Sequence, residues 1–260
     1  EELLATRLLV QGNSGSGKSH LLRRLLEQSA PWVQQTIIDP EGDYRSIEAL
    51  PGVSVLGGDD PPPTARQLVQ ALRYPDRSVV IDLSKLPQDA KAESVRAVLP
   101  VLNGLRQQTG LPHRIVIDEA HYFLHDSNAA EMLDLDRNGY TVVTFCASRL
   151  PAALLASTKV ILVTCESNPA EVEALKGLCE RCAPGDGATW NLLSHLRPGM
   201  AAALPLTEES AGRLRLFTVA RRLTPHVRHR QKYVDVPVSA AQAFVFGASG
   251  PAPMVRVRTL

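Results

Sequence analysis

The octapeptide Gly12 to Ser19, GNSGSGKS, fits the pattern G-x-x-x-x-G-K-[ST] at every position. Its flanks restrict the fold further. Arg7 to Gln11, RLLVQ, reads as a short buried strand. Ser19 to Gln28, SHLLRRLLEQ, reads as a helix with an apolar stripe at Leu21, Leu22, Leu25 and Leu26. A glycine-rich loop between a strand and a helix is a phosphate site. Gly12, Gly15 and Gly17, with Asn13, Ser14 and Ser16 between them, allow backbone angles that turn several N–H groups inward. The helix start, Lys18 to His20, adds the positive end of its dipole to the same place. Lys18 is expected on the β- and γ-phosphates and the Ser19 hydroxyl on Mg²⁺. The whole stretch from Gly12 to His20 is the expected nucleotide cradle.

A second chemical centre is RIVIDEAH, Arg114 to His121. Ile115, Val116 and Ile117 are apolar on both faces, as a central parallel strand should be. Asp118 and Glu119 follow at its carboxyl end, where open α/β sheets hold their ligands. Asp118 is expected to complete the metal site opposite Ser19 through a bound water, and Glu119 to orient and polarise the attacking water. His121 either reads the γ-phosphate or simply opens a helix. The strand Gln34 to Asp39 runs into PEGDY. Its acids Asp39, Glu41 and Asp43 either support the metal or a water, or form a polar turn around Gly42. The strand Tyr140 to Ala147 leads to Ser148 and Arg149, the candidates for a γ-phosphate contact.

The remaining pattern alternates. Strands at 53–56, 78–82 and 159–164 are interleaved with helices at 65–73, 89–108 and 169–178, with Thr64 a plausible N-cap and Pro169 at a first helical position. Pro100 should kink or break the long helix. A helix at 129–136 should close at Asn138-Gly139. The alternation predicts an α/β fold, a mostly parallel sheet with helices on both faces. After Gly185 the pattern changes to a short helix at 188–196 and a hairpin-like pair at 200–204 and 214–219. Arg221 to Lys232 then carries the fixed charges of Arg221, Arg222, Arg228, Arg230 and Lys232, and short strand-like pieces follow at 243–246 and 255–257. The expected division is a nucleotide-binding domain at 1–220 and a basic strap or tail at 221–260.

Net charge is +1, so contact with nucleic acid would have to come from local patches, of which the basic run is the strongest. That run equally suits a surface strap paired with acids. No apolar run reaches the length of a membrane span, and EELLATR is not a signal peptide. The immediate start on a core strand leaves room for a further segment upstream. Cys146 and Cys165 lie in strand-like runs and suit buried thiols in a reducing compartment. Cys179 and Cys182 form one C-x-x-C without two further ligands at a zinc spacing.

With these motifs in place, the chain resembles the HerA–FtsK superfamily of P-loop ATPases, most closely its HerA-like branch. The resemblance spans Leu8 to Lys232 and rests on GNSGSGKS, IIDPEGDY, VIDLSKL, RIVIDEAH, ASRLP with STKVILVTCES, and LRPGM with TPHVRHRQKY. It implies a RecA-like core that binds ATP with Mg²⁺, and a cytoplasmic homo-oligomer, a hexameric ring that moves double-stranded DNA beside a nuclease partner. Lys18 and Ser19 correspond to the Walker A residues, and Asp118 and Glu119 to the Walker B pair. Many relatives carry Gln-Arg where this chain has Ser148-Arg149. Such rings place an arginine of the next subunit at the nucleotide, for which Arg149, Arg213, Arg215 and Arg228 are candidates. Two other readings stay open: a nucleotide switch that gates a partner without moving DNA, and a secretion or conjugation ATPase. Small size and the lack of a membrane segment count against the second of these.

Overall fold

A computed structural model describes residues 6–125, 132–179, 190–205, 214–225, 244–246 and 255–257. The chain divides into two units, Glu1–His226 and Val227–Leu260. The first is built on strands β1 (Leu8–Gln11), β2 (Gln35–Asp39), β3 (Val53–Gly57), β4 (Ser78–Asp82), β5 (Arg114–Ile117), β6 (Tyr140–Thr144), β7 (Val160–Val163), β8 (Met200–Pro205) and β9 (Arg215–Thr218). They form one nine-stranded sheet in the order β3-β4-β2-β5-β6-β1-β7-β8-β9. Neighbours from β3 across to β7 are parallel. β8 and β9 extend the same sheet antiparallel, so the hairpin-like pair read from the sequence continues the core sheet. Within the second unit, β10 (Phe244–Phe246) and β11 (Val255–Val257) pair antiparallel as a sheet of their own.

Five helices complete the described core: α1 (Lys18–Ser29), α2 (Ala65–Ala71), α3 (Gln88–Thr109), α4 (Ala152–Ser157) and α5 (Pro169–Cys179). Alternate residues of each strand face opposite ways, and the two faces find different helices. Leu8, Val10, Ile37, Val80, Val116, Val143 and Leu162 pack with Leu21, Leu22 and Leu26 of α1. Leu9, Ile38, Ile81, Ile115, Ile117, Val142 and Ile161 pack with the helices of the opposite face, including Val95, Leu99 and Leu102 of α3 and Leu175 of α5. A parallel sheet covered on both sides needs strands that are apolar throughout, and this explains the short unbroken runs in the sequence. The fold is therefore the α/β class that the sequence predicts.

Two local expectations change. Of the kink or break expected at Pro100, the break does not occur: Pro100 lies inside α3, a helix of 22 residues. The proline sits on the exposed side, while Val95, Val98, Leu99 and Leu102 bury the opposite stripe. The missing N–H therefore falls on the solvent face, and packing of the buried stripe carries the helix across it. The helix expected to reach Asp136 lies partly outside the described residues, and from Leu133 onward the chain is a turn. Gly139 caps nothing there. Its φ is 89°, and a Cβ would overlap the carbonyl of His113, so glycine serves a close approach of two backbones at the entry to β5 and β6.

Candidate functional site

The sheet order fixes the site. β6 lies between β1, which leads into the glycine loop, and β5, which ends at Asp118 and Glu119. Strand spacing puts those two centres about 10 Å apart, leaving a gap the size of a phosphate chain with the exit of β6 at its floor.

The loop is tied to the end of β7. Asn13 N–H donates to the Cys165 carbonyl at 2.8 Å, and the Ser16 hydroxyl donates to the Asn13 carbonyl at 2.7 Å while lying 2.5 Å from Thr164 Oγ1. The Asn13 amide lies 2.8 Å from Ser167 Oγ. Gly12, at φ 155°, passes so close to Thr164 that a Cβ would overlap its hydroxyl. Gly15 and Gly17 take left-handed φ values of 76° and 105°, and Gly17 opens α1. Ser14 and Gly15 form the exposed tip. Lys18 is buried and folds back on the loop, its ammonium donating to the carbonyls of Gly12 at 2.9 Å and Asn13 at 3.0 Å. The His20 ring lies 3.1 Å from the Ala220 carbonyl, on the segment that follows β9.

The acids of PEGDY separate into different tasks. Asp39 closes the turn: one oxygen accepts N–H groups of Glu41 at 3.3 Å, Gly42 at 2.8 Å and Asp43 at 3.1 Å, and the other accepts Tyr44 N–H at 2.8 Å. Burial pushes its carboxyl up to about 7, against the pull of these donors. Glu41 turns to Lys91 of α3 at 3.6 Å. Asp43 accepts the Ser19 hydroxyl at 3.1 Å. Behind them, Arg23 of α1 is buried and donates to the Asp43 carbonyl and to Ser46 Oγ, which holds the turn against the helix.

Asp118 is buried at the end of β5, and burial, followed by the charges of Glu119, Asp39 and Asp43, holds its carboxyl well above the usual range. Glu119 adopts φ 46°, the single positive φ outside glycine among the described residues. That strain lies where Glu119 must leave the strand and enter the following 3-10 turn, and strained backbone of this kind gathers at functional sites. Its carboxylate lies 3.6 Å from Nδ1 of His121, which lies 3.1 Å from Thr144 Oγ1 at the end of β6. His121 is buried; burial, then the charges of Arg149 and Lys18, lowers its pKa to about 4. At neutral pH the ring is therefore uncharged, and it stands beside the Glu119 carboxylate.

Ser148 and Arg149 lie in a 3-10 turn, Ala147–Arg149, just beyond β6. The Ser148 hydroxyl donates to Glu171 of α5 at 2.5 Å and its N–H to the same carboxylate at 3.1 Å. Sequence reasoning missed the buried group beneath this turn. The Gln11 amide nitrogen donates to Glu166 at 2.9 Å, Glu171 at 3.3 Å and the Phe145 carbonyl at 3.2 Å, and its oxygen accepts Ala147 N–H at 3.1 Å. The only signal in the sequence was a glutamine closing an otherwise apolar strand. Of the arginines considered for a neighbouring site, Arg215 lies on β9, and Arg213 and Arg228 lie outside the described residues.

The donors around Ser19, Asp43 and Asp118 are all oxygens, the set a hard divalent cation takes. The crowded carboxylates at Asp118, Asp39 and Asp43 are of the kind that a cation relieves. Among the described residues no three His, Cys, Asp or Glu side chains are placed to hold a metal alone. A divalent ion such as Mg²⁺ takes one or two protein ligands and draws the rest from water and phosphate.

A family model described as an AAA domain matches residues 4–167, and the chain belongs to that family. Its fold is that of a P-loop NTPase. No curated protein matches it in sequence. Solved structures match it in fold. VirB4 of Thermoanaerobacter pseudethanolicus superimposes with a TM-score of 0.60 at 14% identity, covering 83% of this chain and 89% of that one. The genome packaging NTPase B204 from Sulfolobus turreted icosahedral virus 2, in complex with AMPPCP, does so with a TM-score of 0.57 at 14% identity, covering 83% and 98%. B204 from Sulfolobus turreted icosahedral virus, described as a DNA-packaging ATPase, gives 0.55 at 16% identity over 83% and 98%. No helix among the described residues is long and apolar enough to cross a membrane.

Proposed function

We propose that the chain hydrolyses Mg-ATP and is a motor of the HerA–FtsK type, in its HerA-like branch, working as a hexameric ring on double-stranded DNA. One observation carries the hydrolytic part: the loop with Lys18 and the pair Asp118–Glu119 stand on strands separated by β6, with Asp43 already bonded to Ser19. Fold neighbours described as a genome packaging NTPase and a DNA-packaging ATPase support the motor part.

The chemistry follows from these residues. The loop N–H groups and the end of α1 receive the phosphates. The Lys18 ammonium exchanges the carbonyls of Gly12 and Asn13 for β- and γ-phosphate oxygens. Ser19 would hold Mg²⁺ directly, with Asp43 and Asp118 taking its waters; the ion, when bound, offsets phosphate charge. Glu119 orients a water for in-line attack and draws on its proton. Arg149, from the turn beyond β6, faces the charge that develops on the γ-phosphoryl.

The test is the ATPase rate at low salt with and without linear duplex DNA, alongside the mass of the complex in Mg-ATP by light scattering. A hexamer stimulated by DNA supports the proposal. Unchanged turnover and no DNA binding at low salt remove the motor and leave a nucleotide switch. Lys18→Ala should lose nucleotide binding, whereas Glu119→Gln should bind normally and lose turnover; a Glu119→Gln protein with wild-type turnover refutes the hydrolytic assignment.

A further inference from the structure

The turn Ala147–Arg149 sits between the two halves of the nucleotide site, because β6 does. A turn of three residues has little of its own to hold it. The structure shows what does. Glu171, in the first turn of α5, is buried, and its carboxylate accepts the Ser148 hydroxyl at 2.5 Å, the Ser148 N–H at 3.1 Å, the Cys146 thiol at 3.2 Å and the Gln11 amide at 3.3 Å. Gln11 is the last residue of β1, directly before the glycine loop, and its oxygen accepts Ala147 N–H. One carboxylate and one amide thus bind the phosphate loop to the turn that follows β6.

Burial opposes ionisation of Glu171, but the hydrogen bonds from Ser148 and Cys146 outweigh it and hold the carboxyl below its ordinary value. The group is an anion with donors on every side, the condition under which a buried charge fixes geometry. Ser148 is spent on this contact. Arg149 is the next residue, and its charge, like those of Lys18 and Glu171, reaches His121 beside Glu119.

We infer that Glu171 is a positioning residue for ATP hydrolysis: it fixes the Ala147–Arg149 turn against the phosphate loop through Ser148 and Gln11, so that Arg149 meets the γ-phosphate. Ser148 acts as its tether, not as the phosphate contact. The inference rests on the ATPase reading and adds a residue to it. Removing the anion frees the turn while leaving the loop, Lys18 and Ser19 in place. Affinity for ADP should then hold while the gain from the γ-phosphate is lost.

The experiment measures the affinities of fluorescent ATP and ADP analogues with Mg²⁺, together with turnover, for wild type, Glu171→Gln, Arg149→Ala, Ser148→Ala and the double variant Glu171→Gln/Arg149→Ala. Glu171→Gln should bind ADP within about threefold of wild type, lose most of the preference for ATP over ADP, and turn over at least about tenfold more slowly. The double variant should be no worse than Arg149→Ala alone, since both changes remove one interaction. Ser148→Ala, which removes only the hydroxyl tether to Glu171, should fall about threefold in the same direction and decides the matter if Glu171→Gln does not fold. Losses in the double variant that multiply, or an ATP preference untouched by Glu171→Gln and Ser148→Ala, overturn the inference and leave the ATPase reading standing. A folded wild-type chain that binds neither nucleotide overturns both.

Discussion

The segment after β9 is held by one small group of side chains, and Thr224→Val tests it. Thr224 is buried; its hydroxyl donates to Glu27 Oε1 at 2.6 Å and accepts from the Arg23 guanidinium at 2.9 Å. Valine keeps the shape and removes both bonds. Each is charge-assisted and worth about 1.5–3 kcal/mol. The two charged partners are not stranded, however. Glu27 still accepts the N–H groups of Leu223 and Thr224, both at 2.9 Å, and Arg23 still reaches Ser46 and Asp43. The expected loss is therefore about 2–3 kcal/mol, at or below the low end of the roughly 3–6 kcal/mol sum. For a unit of this size that corresponds to a fall in Tm of roughly 4–12 °C. Urea denaturation gives the same quantity as a lowered midpoint at constant m. Glu27→Gln should couple to Thr224→Val by about 1 kcal/mol in a double-mutant cycle, because the two side chains touch. A Thr224→Val protein within about 0.5 kcal/mol of wild type refutes the reasoning, since that is the response of an exposed site.

Gly12→Ala should destabilise the protein by about 2 kcal/mol or more and weaken nucleotide binding, because the new Cβ meets Thr164 and lies 2.8 Å from Ser16 Oγ and 3.2 Å from the Cys165 carbonyl; melting and an ATP-analogue titration read the two effects. Asp39→Ala leaves the N–H groups of residues 41–44 without their acceptor and should cost about 3 kcal/mol, with a weaker Mg²⁺ dependence of nucleotide binding because Asp43 loses its register on Ser19; an unchanged Mg²⁺ dependence would mean the turn is held by other means. His121, at about 4 when folded and about 6.5 when unfolded, binds fewer protons in the native state, so its stabilising share is complete above pH 6.5 and is lost as pH falls toward 4. The loss is about 3 kcal/mol, and the difference in unfolding free energy between wild type and His121→Gln should shrink by that amount between pH 7 and pH 4, since the carboxylates common to both proteins cancel in that difference.

What the sequence showed most clearly was local. The glycine loop, the apolar strands and the N-cap at Thr64 each depend on residues a few positions apart, and each forms where its pattern lies. The elements that misled were also local. Pro100 breaks an isolated helix, but its exposed position in α3 lets buried Val98, Leu99 and Leu102 decide the outcome. Asn138-Gly139 resembles a helix end, yet its glycine answers to the backbone of His113. In both cases tertiary packing overrode a rule that holds for a single element.

What stayed hidden was long-range. Gln11 meets Glu171, and Glu27 meets Thr224, across separations of 160 and 197 residues. No window of sequence contains both partners, and neither pair has a spacing to recognise. The reason such pairs matter lies in the sheet order. In a sheet where β6 separates β1 from β5, the two halves of a phosphate site are not neighbours, so nothing in the ladder of hydrogen bonds sets the exit loops against one another. Side chains must supply that alignment, and they do so on both flanks of the loop. Gln11 and Glu171 join it to the turn of Arg149, and Ser19, Asp43 and Arg23 join α1 to the acidic turn. Arg23 continues that second link to Thr224, which lies within the basic run Arg221 to Lys232, two residues after Arg222. A change at the phosphates that moves Asp43 therefore has a bonded path, Asp43 to Arg23 to Thr224, toward the most basic stretch of the chain. Loss of DNA stimulation in Thr224→Val, with basal turnover retained, is the result that path predicts, and DNA stimulation equal to wild type would show that the basic run does not take its cue from α1.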